Sequence, residues 1–168
     1  KQNHLDGKPS YIRWKLNSLL DEEIIEALYD AAKAGVRIDI VTRGICALRL
    51  SHVAKHRNVR VRSILGRFLE HSRIFHFQNA QEPEYFIGSA DMMDRNLNRR
   101  IETLVQIKNS AHKAALDDIL TQSFRDQFGH WEMDESDIWR HKQGSGIEGA
   151  EVDYQDYFLH KVDERYAK

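Results

Sequence analysis

The 168-residue sequence is short of three things: cysteine, long apolar runs and net charge. Cys46 stands alone, so no disulfide can close within the chain and no cysteine-based zinc site is available. No stretch approaches the roughly eighteen unbroken apolar residues of a membrane helix. The opening residues, KQNHLDGKPS, lack the apolar core of a secretory signal. These absences suit the cytoplasm. Lys rather than Met at position 1 is what a piece of a longer protein would show.

The net charge of −1 conceals a strong asymmetry. Between Arg43 and Arg73 there are eight Lys/Arg and a single acid, Glu70. From Lys113 onward, thirteen acids face seven Lys/Arg. The basic middle predicts an anionic ligand, while the acidic C-terminal part argues against a general nucleic-acid binder. The length fits one domain, and the 41% hydrophobic content is enough for a sizeable core.

Tyr11–Leu16 alternates apolar and charged side chains, as a half-buried strand does. Ser18 and Asp21 are candidate helix caps, with Glu22 and Glu23 in a favourable first turn. Ile24, Ile25, Leu28, Tyr29 and Ala32 follow at helical spacing, and Gly35 offers a stop. Val36–Thr42 alternates again. Strand, helix, strand predicts a parallel pair, and hence an α/β fold with a mixed sheet and flanking helices.

Further strands are predicted over Val59–Leu65, Arg73–Phe77 and Glu84–Ile87, with a buried strand over Ile101–Ile107. A helix is predicted over Ala111–Phe128, beyond which the pattern weakens. KQGSGIEGA, Lys142–Ala150, has linker composition, and a last helix is predicted from Asp153. The chain therefore divides into a domain over 1–141 and a flexible linker with a tail helix over 142–168. Trp14, Trp131 and Trp139 are read as packing residues.

Three segments carry chemistry. In VTRGICALR, Arg43 follows a strand directly, at the end where open α/β sheets bind ligands, and Gly44 allows an unusual turn. An arginine at a strand end can equally pair with a carboxylate. In GRFLEHSRIFHF, His71 and Arg73 share a face if the segment is extended. His71 is either a packed histidine satisfied by Glu70 or backbone, or a proton acceptor or nucleophile. Flanking arginines favour its neutral ring, which alone can accept a proton or attack phosphorus. In YFIGSADMMDRNLNRRIE, Gly88-Ser89 brings backbone N–H groups close to an anion, and Asp91, Arg95, Asn96, Arg99 and Arg100 follow.

His-x-Arg followed by Gly-Ser-x-Asp resembles an altered phospholipase D motif. Arg73 stands where that motif has Lys, Gln78 where it has Asp, and Asp91 where it has Asn. A phosphodiesterase reading is weakened accordingly. Three strings, KLNSLLDEEIIEALYDAAKAGVRIDIVTRGICALR, VRVRSILGRFLEHSRIF and FIGSADMMDRNLNRRIE, resemble the second phospholipase-D-like domain of polyphosphate kinases. The loop Leu50–Asn58 departs from the Gly/Pro-rich connection usual there.

The resemblance implies a phospholipase-D-like fold and a half-site for reversible transfer of the terminal phosphoryl of ATP to inorganic polyphosphate. It also implies that the phosphohistidine and the main magnesium contacts lie in a preceding domain, and that the full-length enzyme is a homo-oligomer. Arg43 and His71 match the positions that contact ATP phosphates, with His71 the candidate catalytic residue. No metal ligands are assigned to this chain. Arg73, Arg95, Arg99 and Arg100 are expected to extend a cationic path for polyphosphate, since a long polyanion needs cations along its track. The alternative is a non-enzymatic module that binds ATP or polyphosphate.

Overall fold

A computed structural model describes residues 1–147 and 152–166. Its elements are α1 (Gln2–Leu5), β1 (Ser10–Leu16), α2 (Glu22–Lys33), β2 (Arg37–Thr42), β3 (Val59–Ser63), β4 (Ile74–Asn79), β5 (Glu82–Gly88), α3 (Asp94–Asn98), β6 (Leu104–Ile107), α4 (Ser110–Gln122), β7 (His130–Met133), β8 (Trp139–Lys142) and α5 (Tyr154–Tyr166). The strands form one mixed sheet in the order β6-β5-β4-β1-β2-β3-β7-β8. Neighbours among β1, β2 and β3 run parallel, and every other pair is antiparallel.

The first strand–helix–strand unit forms as its sequence dictates. The Asp21 side chain caps α2 by accepting from the Ile24 amide at 3.0 Å. Gly35 then ends the turn at φ +101°, a conformation that disfavours any Cβ. The apolar stripe of α2, with Ile25, Leu28, Tyr29 and Ala32, closes over one sheet face carrying Trp14, Leu16, Ile38, Ile40, Val61 and Phe75. Each such side chain contributes about 1.5–3 kcal/mol on burial, so this layer is the main source of stability.

The opposite face is also covered, which strict alternation along β1 did not predict. Arg13 and Lys15 are buried there. In register, Arg13 lies between Asp39 on β2 and His76 on β4, and His76 is followed by Tyr85 on β5. Asp117 on α4 receives hydrogen bonds from both Arg13 and Tyr85, the latter at 2.6 Å. Arg60 and Tyr11 close on Asp39 in the same layer. Polar groups fill this face because each finds a partner of opposite character, as burial requires.

Three expectations need correction. The run Ile101–Ile107 forms not a buried strand but the four-residue edge strand β6, with Leu104 60% exposed and Ile101 entirely so. An apolar run specifies extension without specifying position in the sheet. The helix expected to reach Phe128 ends at Gln122, and Phe128 instead packs into a core cluster with Val41, Ile64 and Tyr154. Past Gly129, where no pattern was read, β7 and β8 form a hairpin that extends the sheet beyond β3. Strands of four residues are too short to show periodicity. Trp131 on that hairpin is 40% exposed and tilts against His141 rather than filling a core.

Of the linker expected over 142–150, residues 148–150 lie outside the described residues. Before them, the Ser145 and Gly146 amides bond back to Asp126 and Gln127. The last helix, α5, packs Tyr154, Tyr157 and Phe158 around Phe128.

Candidate functional site

The parallel strands β1 and β2 end at Leu16 and Thr42, and antiparallel β4 begins at Ile74 beside them. One end of the sheet therefore collects Asn17, Arg43, the 64–73 loop and the corner after Gly88. This is the end at which α/β sheets of this kind bind ligands.

Arg43 is half-buried there. Its Nε and Nη2 both donate to Asn17 Oδ1, at 3.1 and 3.0 Å. No carboxylate pairs with it among the described residues, so part of its donor fork remains available. Gly44 serves a different purpose from the one its sequence suggested. Its φ is not positive; instead, a Cβ there would stand 2.9 Å from the Asn17 carbonyl oxygen. Its own amide donates to that oxygen at 2.7 Å, so glycine permits a close approach of backbones.

Asp91, read from the sequence as a loop residue, is buried. Its Oδ1 accepts from the amides of Asn17 and Ser18 at 2.8 and 3.2 Å, and its Oδ2 accepts from Arg73 Nη2 at 2.9 Å. Burial opposes the Asp91 carboxylate, but the Arg73 guanidinium and the two amides outweigh it and hold its pKa below the ordinary value. Arg73 Nη1 then donates to the His71 carbonyl at 2.9 Å. A continuous relay thus runs from Arg43 through Asn17, Asp91 and Arg73 to the backbone of His71.

His71 does not lie on a strand, since β4 begins three residues later. Its ring is exposed and has no hydrogen-bond partner among the described residues. Arg43 lines a small pit together with Lys15, Asn17, Glu70 and Ser72. The residues flanking His71 therefore wall this pit, with the imidazole outside its lining.

Lys15 is the member that sequence reading missed. It is buried, 3.1 Å from Glu70, and burial is the main cause that lowers its pKa, against the opposing pull of Glu70. No local signal marked it, since its partner Glu70 lies in a distant loop.

The remaining arginines are dispersed. Arg73 is engaged by Asp91. Arg95 lines a cleft of about 730 Å³ together with Asp21, Glu22, Glu23 and Asp94. Arg99 pairs with Asp94 at 2.8 Å, and exposed Arg100 stands near enough to Glu102 to lower its pKa, behind the hydrogen bonds from Ser89 and Asn96. Among the described residues, no three His, Cys, Asp or Glu side chains converge on a point that could hold a metal ion.

Residues 1–153 match the family model described as polyphosphate kinase C-terminal domain 2. The chain belongs to that family. A polyphosphate kinase of Streptomyces coelicolor is 50% identical over 138 residues, covering 82% of this chain and 18% of the relative. One from Mycobacterium tuberculosis is 47% identical over 151 residues, 89% of this chain and 20% of the relative. The chain thus spans about a fifth of the length of these polyphosphate kinases.

The crystal structure of polyphosphate kinase from Porphyromonas gingivalis superposes with a TM-score of 0.87 at 36% identity, covering 98% of this chain and 25% of that one. A phospholipase D family member, Nuc from Salmonella typhimurium, superposes at 0.50 with 19% identity over 71% of this chain and 82% of its own. At that identity the likeness is one of fold: the mixed sheet is phospholipase-D-like, as the three motifs implied.

Proposed function

We propose that this chain is the C-terminal part of a polyphosphate kinase and supplies half of its active site. On this reading the complete enzyme moves the terminal phosphoryl of ATP to a histidine in a preceding domain, releasing ADP. It then passes that phosphoryl to the end of a polyphosphate chain, and each step is reversible. The observation that carries the reading is the Arg43 guanidinium, fixed by Asn17 and free of any carboxylate among the described residues. It lines a small pit together with Glu70 and Ser72, the residues on either side of His71.

In phosphoryl transfer the charge spreads over the equatorial oxygens, so a pre-oriented cation lowers the barrier by electrostatics and positioning. Arg43 takes that part for the nucleotide phosphates, with the planar fork suited to two oxygens at once. His71, exposed and unbonded just outside the pit that Arg43 lines, takes a phosphate contact and a proton. On this reading magnesium belongs to the nucleotide and the preceding domain. Of the four arginines expected along a polyphosphate path, exposed Arg99 and Arg100 are the ones left to meet the polyanion at the surface, since Arg73 is held by Asp91 and Arg95 sits among four carboxylates. The enzyme works in the cytoplasm as a homo-oligomer; no described helix is long and apolar enough to cross a membrane.

The test is made in the full-length protein. Arg43→Ala and His71→Ala should each abolish most polyphosphate synthesis from ATP while leaving the melting temperature unchanged. Wild-type activity in either variant would overturn the assignment.

A further inference from the structure

The ten residues from Ile64 to Arg73 that carry His71 form neither helix nor strand. Apolar burial does not hold the outer part of this loop: Phe68 and Leu69 are 48% and 73% exposed. It is held by polar attachments instead. Glu70 reaches Lys15 on β1 at 3.1 Å, and Ser72 Oγ donates to Glu70 Oε1 at 2.5 Å. From α5, Gln155 grips the Phe68 backbone on both sides: its Oε1 accepts from the Phe68 amide at 2.7 Å and its Nε2 donates to the Phe68 carbonyl at 2.8 Å. A Cβ on Gly66 would stand 2.5 Å from the end of the Gln155 side chain, so glycine at that position lets the clamp close.

The ammonium of Lys15 also lies 5.2 Å from the centre of the Tyr154 ring, the residue before Gln155. A buried lysine is a poor choice for packing alone, since an apolar side chain of similar volume fills the same space without desolvating a charge. What the ion pair supplies is direction. It points at the residue immediately before His71.

We propose that Lys15, Glu70 and Gln155 are positioning residues for His71, locking the 64–73 loop to β1 and α5 so that the imidazole is pre-set for phosphoryl transfer. The inference rests on the proposed function of His71 and assigns the C-terminal helix a part in it. Misplacement of a reacting group by about 1 Å can lower a rate roughly a hundredfold, which sets the scale of the effect.

The experiment uses the full-length protein, with polyphosphate synthesis measured over a range of ATP concentrations. The variants are Glu70→Gln, the neutral pair Lys15→Met/Glu70→Gln, and Gly66→Ala, with His71→Ala as the control. The neutral pair leaves no unpaired buried charge, the defect that a single substitution at either position creates. The expected result is a kcat lower by about tenfold or more in the neutral pair and in Gly66→Ala. The KM for ATP stays within about twofold, and the melting temperature of Gly66→Ala is unchanged.

A raised KM with unchanged kcat would make Lys15 a direct phosphate contact and overturn the positioning role. Wild-type kcat in the neutral pair, with His71→Ala inactive, would overturn the inference and leave the proposed function standing. Full activity in His71→Ala would overturn both.

Discussion

The side-chain carbonyl of Asn17 accepts from two nitrogens of Arg43, at 3.1 and 3.0 Å, while the Asn17 amide donates to Asp91 at 2.8 Å. One asparagine at the end of β1 thereby orients the cation of the proposed phosphate site and ties it to the loop after Gly88. The orientation matters because a guanidinium binds two oxygens only when its plane is fixed.

Asn17→Ala removes the acceptor but leaves the Arg43 charge in place. The expected outcome is a KM for ATP raised roughly ten- to 150-fold, the equivalent of one hydrogen bond to a charged group, with a smaller change in kcat. Steady-state kinetics on the full-length protein checks it, and an unchanged KM would show that Arg43 needs no such support.

Asp91 links a carboxylate to stability through pH. Its folded-state pKa lies below the ordinary carboxylate value, so its stabilising contribution is complete above that value and is lost as pH falls through the folded pKa. Asp91→Asn leaves Arg73 without its charged partner and should lower stability by about 1–3 kcal/mol near neutral pH. The deficit relative to wild type should shrink as pH falls below about 4, the range in which an ordinary carboxylate becomes protonated. Urea titrations at several pH values separate the two behaviours.

His76 acts in a higher window. Burial first, and then Arg13, lower its pKa from 6.5 to about 4, and its Nδ1 accepts from Arg13 Nε at 3.1 Å. The unfolded chain therefore binds a proton that the folded chain refuses. The contribution of His76 to stability is full above about 6.5, falls as pH drops below it, and levels off under about 4. Replacing His76 with Gln, which has no titrating group, should flatten the dependence of the urea midpoint between pH 6.5 and pH 4. An undiminished slope would place the titration elsewhere.

Much of this architecture was legible in the residues. Asp21, the stripe from Ile24 to Ala32 and Gly35 define one helix and its two flanking strands, because caps and periodicity are local properties. The strand end that Arg43 follows was legible too, whereas His71, expected to share an extended segment with Arg73, lies in a loop with its ring outside the Arg43 pit. Long-range choices were not legible. Nothing in Tyr11–Leu16 tells that Arg13 and Lys15 face Asp117 and Glu70 rather than water, since those partners lie 104 and 55 residues away. Asp91 likewise reads as a surface acid until the amides of Asn17 and Ser18 meet it. The edge position of β6 depends on which strands remain unpaired, a property of the finished sheet.

Gly88 closes the last junction of the site. A Cβ there would lie 2.7 Å from the Thr103 carbonyl oxygen in the segment entering β6, a contact that neither backbone can relieve without moving. The Ser89 amide donates to that same oxygen at 3.0 Å, and the Ser89 hydroxyl accepts from the Thr103 amide at 3.0 Å. Gly88→Ala must therefore part β5 from the segment entering β6, breaking this reciprocal pair two residues before the Asp91 anchor. The expected cost is about 1–3 kcal/mol of stability, as for other insertions into tight packing. Because Asp91 follows directly, the Arg73 attachment should loosen as well, and kcat should fall more than the stability loss alone predicts. A circular-dichroism melt paired with the synthesis assay checks both parts. A Gly88→Ala protein with wild-type stability would mean that the corner tolerates a side chain, and that the close approach of Gly88 to Thr103 is not what fixes it.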